Sequence, residues 1–286
     1  MFAVDTIQML EMTSPGGRRL HCILQPPCDV AWARVLIVHG YGEHAGRYAQ
    51  FMQFLAGAGV ASEAVDLRGH GRSPGRRGFV LRWEEYLEDL RAFMRREDRC
   101  DPNLPTFVLG HSHGGLIIAA AVERGILTQD RVAGCILCSP YLATLQPIPL
   151  YKLAMARVAD RVAPWLAVPT GLRGEWRSGD PVMRKADRED PYMSRTATPR
   201  WFISMRKAQA KTLQEAEAFK LPLLCLIGEN DVIADPAAVA AFYSSAAAPD
   251  KSLYTYAGGV HELLRDFTRE KASADILGWM RARVKG

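Results

Sequence analysis

Four short runs in this chain are apolar at nearly every position: Val35-Leu36-Ile37-Val38, Phe107-Val108-Leu109-Gly110, Gly134-Cys135-Ile136-Leu137-Cys138 and Leu223-Leu224-Cys225-Leu226-Ile227. A strand with one wet face alternates apolar and polar residues, so strands without alternation are covered on both faces. Two further strands are expected at Val60–Val65 and 252–256. Between the strands lie stretches of helical spacing, at 48–57, 84–96, 116–124, 237–245 and 271–284. In the second of these Tyr86, Leu87, Leu90, Phe93 and Met94 share one side of the wheel. Strand and helix in alternation predict an α/β fold built on a mostly parallel sheet. Ahead of it, segments 4–12 and 20–24 flank Ser14-Pro15-Gly16-Gly17 and predict an antiparallel hairpin.

One stretch breaks the alternation. Between Pro140 and Phe219 no convincing strand is found, and proline, arginine and tryptophan follow in irregular order. That is the pattern of an inserted helical cap, which divides the chain into a core domain (1–139 and 220–286) and a cap (140–219). The first cap helix is expected at Leu150–Val162, with Leu150, Leu153, Ala154, Val158 and Val162 in one half of the wheel. Arg157 and Arg161 interrupt that stripe. A helix packed on its own domain is the favoured reading, with a lid leaning on a membrane as the alternative.

Of the 286 residues, 48% are hydrophobic and 23% charged, the proportions of a globular protein rather than a disordered one. The net charge of +5 comes from scattered Lys and Arg without an aromatic-interleaved basic stripe, so no nucleic-acid partner is expected. The first residues lack a basic segment followed by an apolar one, and no run approaches the ~18 apolar residues of a spanning helix. Six cysteines without framework spacing fit reduced thiols and a cytoplasmic location. Cys135 and Cys138 form a CxxC, but three apart on a strand they point to opposite faces. They are expected to be core cysteines.

The strongest chemical signal is Gly110-His111-Ser112-His113-Gly114-Gly115. It contains G-x-S-x-G after an expected strand and before an expected helix, which puts Ser112 on a sharp turn at a helix N-terminus. A serine hydroxyl is a poor nucleophile until a base takes its proton. An acid and then a histidine should follow, each just after a strand, and Asp231 and His261 stand there. His261 would take the serine proton, and Asp231 would fix its tautomer. Glu229 and Asp235 are weaker candidates for the acid. His39-Gly40-Tyr41-Gly42-Glu43-His44 follows another strand, so the backbone N–H groups of Tyr41 and His113 are candidates for an oxyanion hole. Gly40-x-Gly42-x-x-Ala45 with Asp66 imitates a dinucleotide fingerprint, which leaves the serine, acid and histidine unexplained. No His pair has metal-ligand spacing, so no metal is expected; His70, near Asp66, is read as holding a turn.

Several motifs together resemble the monoacylglycerol lipase and lysophospholipase family of α/β-hydrolases, of the serine aminopeptidase S33-like type. They are His39-Gly40-x-Gly42-Glu43-His44-x-Gly46-Arg47-Tyr48, Asp66-x-Arg68-Gly69-His70-Gly71-x-Ser73, Gly110-His111-Ser112-x-Gly114-Gly115, Ser139-Pro140, Asp190-Pro191, Gly228-x-x-Asp231 and Gly258-Gly259-x-His261-Glu262. The resemblance implies an α/β-hydrolase fold with a cap over an apolar acyl pocket, no cofactor, and hydrolysis of one fatty acyl ester in a small lipid substrate. By position it makes Ser112, Asp231 and His261 the triad and Tyr41 and His113 the oxyanion donors, and it puts Glu43 and Arg47 near a head-group pocket. Two features depart from the family. His113 replaces a frequent methionine and is expected to add a titratable imidazole beside the site. Cap arginines 157, 161, 173 and 177 keep anionic lysolipids open beside neutral glycerides. Acyl transfer, short-chain esterase activity, perhydrolase chemistry and a non-catalytic lipid carrier remain as alternatives.

Overall fold

The computed structural model describes residues 7–96 and 103–284. It opens with β1 (Gln8–Ser14) and β2 (Arg18–Gln25), paired antiparallel with Ser14 opposite Arg18. Pro15 and Gly16 (φ 81°) stand where a type II turn needs a fixed negative and a positive φ, and Gly17 N–H donates to Ser14 O at 3.1 Å. The part of the expected first strand before residue 7 lies outside the described residues.

Alternation follows: β3 (Ala33–Val38), a 3-10 turn into α1 (Ala49–Gly57), β4 (Val60–Val65), α2 (Glu84–Met94), β5 (Thr106–His111), α3 (His113–Glu123) and β6 (Gly134–Cys138). After a long interruption it resumes with β9 (Leu223–Gly228), α8 (Pro236–Ser245), β10 (Lys251–Tyr256) and α9 (Arg269–Val284). The eight strands form one sheet in the order β1-β2-β4-β3-β5-β6-β9-β10, antiparallel at β1/β2 and β2/β4 and parallel elsewhere.

The central strands read as apolar throughout because both faces are covered. Leu36 and Val38 of β3 point into a layer with Tyr86 of α2, Leu116 of α3 and Phe242 of α8. Val35 and Ile37 point the other way, against Met52 and Leu55 of α1 and Ile276 and Met280 of α9. Cys135 and Cys138 obey the same alternation and fall in opposite layers. Both are free and fully buried, and burial pushes both thiols far above their usual range.

The interruption holds α4 (Leu150–Val162), β7 (Val168–Pro169), α5 (Gly174–Arg177), α6 (Pro181–Glu189), β8 (Thr196–Ala197) and α7 (Pro199–Gln214). Two starts are written in the sequence. Asp180 caps α6 and Thr198 caps α7, each followed by a proline whose missing N–H has no helical partner to lose. The two-residue strands β7 and β8 pair antiparallel, against the expectation of a strand-free insert; a two-residue strand containing proline carries no pattern to read. Helix α4 buries none of its residues and is held at its side by Asp160, which accepts from the Arg200 guanidinium. Among the described residues no helix is long and apolar enough to cross a membrane.

Candidate active site

Ser112 follows β5 at the point where the chain turns into α3, with φ 51° and ψ −115°. A non-glycine residue held there stores on the order of 1–3 kcal/mol of backbone strain, which the surroundings must hold in place. They do so with three hydrogen bonds. Ser112 N–H donates to Cys138 O (3.0 Å), and its carbonyl accepts from Leu116 (3.2 Å) and Tyr141 (2.9 Å). The flanking glycines are required by space: a Cβ on Gly110 would lie 2.5 Å from Gly114 O, and one on Gly114 would lie 2.1 Å from Val38 O.

Asp231 and His261 follow β9 and β10, and the parallel pairing of those strands brings their C-terminal ends together. Asp231 Oδ1 accepts from the N–H groups of Ile233 (2.8 Å) and Ala234 (3.0 Å), which aims Oδ2 at His261 Nδ1, 2.7 Å away. His261 Nε2 lies 2.9 Å from Ser112 Oγ. The three residues expose 7% (Ser112), 3% (Asp231) and 4% (His261) of their surface, so their mutual interactions are little screened by water. Burial pulls the His261 pKa down, but the Asp231 charge and hydrogen bond, helped by Glu262 and Glu43, hold it above the free imidazole value. Such a chain can pass the Oγ proton to Nε2 and stabilise the imidazolium that results. The other two acids are elsewhere: Glu229 is exposed, and Asp235 caps α8 through Ala237 N–H.

The turn after β3 comes against Ser112, with the ideal Cβ position of Gly40 3.1 Å from Ser112 Cβ. Among the described residues the backbone N–H groups of Tyr41 and His113 have no acceptor within the chain, and His113 is the first residue of α3. Asp66, which a dinucleotide site would offer to a ribose, is 1% exposed and accepts from the N–H groups of Ala45 (2.6 Å) and Arg72 (2.7 Å). His70 holds the same turn from within, with Nδ1 3.0 Å from Arg68 O.

Residues 30–268 match the family described as serine aminopeptidase, S33 (Hydrolase_4). The chain belongs to this family. It is 30% identical over 266 residues to a monoacylglycerol lipase of Mycolicibacterium smegmatis, covering 93% of each chain. It is 28% identical over 239 residues to phospholipase YtpA of Bacillus subtilis, covering 83% of this chain and 91% of that one. The crystal structure of a monoacylglycerol lipase from Paleococcus ferrophilus superposes with a TM-score of 0.82 at 29% identity, over 92% of this chain and 99% of the other. The mixed sheet and its helices are therefore those of an α/β-hydrolase, and the chain is a carboxylic ester hydrolase of the serine type.

Within that hydrolase frame, the geometry gives the surroundings of three of the expected residues. The His113 imidazole is fully buried, with the rings of Tyr41, Trp83, Tyr86 and Trp201 around it at centroid distances of 6.1, 6.3, 4.9 and 5.6 Å. Burial pushes its pKa far down, helped by His70 and His39, so it is uncharged and not the titratable neighbour that was expected. Glu43 and Arg47, expected near a head-group pocket, are 4% and 5% exposed and engaged with other residues of the chain. Glu43 Oε1 accepts from Gly40 N–H and from Tyr48 OH at 2.8 Å. Burial alone would raise the Glu43 carboxyl, but His111 and the Arg47 charge hold it well below the usual carboxylate range. Arg47 Nη2 lies 3.0 Å from Asp187 of α6 and 2.6 Å from Glu262, the residue after His261. Asp187 also pairs with Arg265 at 3.0 Å and with Arg177 at 3.5 Å.

Asp187 and Arg265 escaped the sequence reading, and Glu262 stood in it only as a motif residue, because buried ion pairs between distant segments leave no spacing signal. His44, known from the sequence only as a motif residue, has its Nε2 2.8 Å from Asp190 Oδ2, joining two motifs 146 positions apart.

Proposed function

We propose that this chain removes a single fatty acyl group from a monoacylglycerol or a lysophospholipid, with Ser112 as nucleophile, His261 as general base and acid, and Asp231 as its orienting partner. The observation that carries the reading is the Ser112–His261–Asp231 relay, closed at 2.9 and 2.7 Å on three separate strand ends. In the first step Oγ attacks the ester carbonyl carbon as its proton passes to His261 Nε2. The carbonyl oxygen becomes an oxyanion facing the Tyr41 and His113 N–H groups. As the intermediate collapses, the bond to the glycerol oxygen breaks, and that oxygen takes the proton from His261. Water then enters, gives its proton to His261, and attacks the acyl-enzyme carbonyl. The second collapse releases the fatty acid and returns the proton to Oγ. Every group used is the chain's own or comes from water.

Two observations favour a lipid acyl ester. The relatives are named as monoacylglycerol lipases and a phospholipase. The stretch 140–219, taken as the cap, presents α4 to solvent with Leu150, Met155, Val158 and Val162 each at least 58% exposed, among exposed Lys152, Arg157 and Arg161. Apolar residues framed by cations on one helix fit peripheral contact with an anionic lipid surface. Glu43 and Arg47 enter this reading as supports of the head-group side, through Gly40 and Glu262.

The test is product analysis with a monoacylglycerol and a lysophosphatidylcholine of matched acyl chain, using wild type and Ser112→Ala. Release of free fatty acid by wild type alone supports the reading. Hydrolysis of short water-soluble esters with neither lipid cleaved would remove the lipid substrate.

A further inference from the structure

The two residues proposed to supply the oxyanion N–H groups, Tyr41 and His113, turn their side chains onto the same residue of α7. The Trp201 indole stacks on the Tyr41 ring at a centroid distance of 3.5 Å and 26° between planes. It also meets the His113 imidazole edge to face, at 5.6 Å and 68°. Tyr41 and His113 are 72 positions apart in sequence, and Trp201 is 5% exposed. The chain leading into α7 fastens the same turn twice more. Ser194 N–H donates to Gly42 O at 2.7 Å, and Tyr41 OH lies between Thr196 O (3.1 Å) and Gly78 O (3.2 Å). Gly42, at φ 80°, admits this approach because a Cβ there would lie 2.6 Å from Ser194 O.

We propose that Trp201 is a positioning residue for the oxyanion hole, setting the Tyr41 and His113 peptide N–H groups by bracing both side chains from the insert. The inference rests on the proposed reading that those two N–H groups bind the oxyanion. A preorganised donor pair acts only while its geometry is held, and a shift of about 1 Å in such a site costs on the order of a hundredfold in rate. Tyr41 sits on an irregular turn with no helix or strand of its own to fix its peptide plane. The fixing comes from the stacked indole and the two hydrogen bonds of segment 194–196. His113, with neither ring nitrogen hydrogen-bonded, is fixed by ring contacts, and Trp201 supplies one of them. The insert would then tune the rate of the chemical step as well as cover the site, because one of its residues touches both donors' side chains.

The test compares wild type, Trp201→Leu and Trp201→Phe as full-length chains, measuring kcat and KM on p-nitrophenyl butyrate and decanoate together with the thermal midpoint. Leucine keeps an apolar filler without a flat face; phenylalanine keeps a ring to stack. Expected is a drop in kcat of about tenfold to a hundredfold for Trp201→Leu on both esters, with KM within about twofold, and recovery to within about threefold of wild type for Trp201→Phe. If leucine leaves too little folded protein, Trp201→Met replaces it in the same comparison. Unchanged kcat in the leucine or methionine variant, or a loss confined to KM for decanoate, would overturn the proposal; the latter would make Trp201 a wall for the acyl chain. A wild-type enzyme that neither turns over nor takes a fluorophosphonate on Ser112 would instead defeat the catalytic reading beneath it.

Discussion

Asp231 Oδ2 lies 2.7 Å from His261 Nδ1, with both groups almost fully buried, and this contact keeps the imidazole basic against the pull of burial. As the proposed base, His261 must be neutral to accept the Ser112 proton, so activity should be lost as pH falls through its pKa. The acid limb of kcat/KM is therefore expected to have its midpoint above 6.5, the value of a free imidazole. Asp231→Asn removes the charge that raises it. The limb should move to lower pH while kcat falls on the order of 10⁴-fold. A pH–rate profile of both proteins checks the direction and the size together.

The buried ion pairs around Arg47 give a stability prediction. Asp187 is 3% exposed and accepts from Arg47 and Arg265 at 3.0 Å each. Replacing it with alanine leaves the buried Arg47 with only its acids at 43 and 262, and removal of one partner from a buried network costs about 3–5 kcal/mol. Urea unfolding of Asp187→Ala should show a loss of that order. Arg177→Ala, which removes a half-buried partner at 3.5 Å, should lose much less.

Glu123, at the end of α3, carries a carboxyl pushed up to about 8 by burial, which outweighs the nearby Thr212 hydroxyl. Its ordinary value is 4.5, so the folded state holds a proton that the unfolded chain releases across that window. The stability linked to this group is complete below 4.5 and is lost as pH rises toward 8. Glu123→Gln cannot ionise and escapes the loss. Its thermal midpoint should match wild type near pH 4.5 and exceed it above pH 8, as read by calorimetry across that range.

Most of the fold could be read from the chain because each central strand is covered on both faces and each expected helix between them keeps one apolar side. Cys135 and Cys138 show the gain: reading them as a strand placed them in opposite layers, where the structure has them. The G-x-S-x-G turn was legible for a related reason, since Gly110 and Gly114 are positions where no side chain fits. The insert was opaque. Helix α4 was found at Leu150–Val162, but which of its faces is free depends on where α7 lies. The partners of Arg47 and the place of the His113 ring depend on contacts among segments 43–48, 83–86, 187–201 and 261–265, and no local spacing encodes those.

The exposed side of α4 leads to a membrane prediction. Changing Leu150, Met155 and Val158 together to serine should reduce co-sedimentation with anionic vesicles by at least about fivefold, because each buried apolar side chain contributes roughly 1–3 kcal/mol. Turnover of p-nitrophenyl butyrate in vesicle-free solution should be unchanged, because none of the three is buried in the fold.

The assignment of Ser112 as nucleophile is tested by labelling with a fluorophosphonate followed by mass spectrometry of the adduct. Expected are a single stoichiometric adduct on Ser112, loss of ester hydrolysis in step with labelling, and a folded Ser112→Ala protein that neither labels nor turns over. An adduct on another residue, or hydrolysis retained by Ser112→Ala, would contradict it.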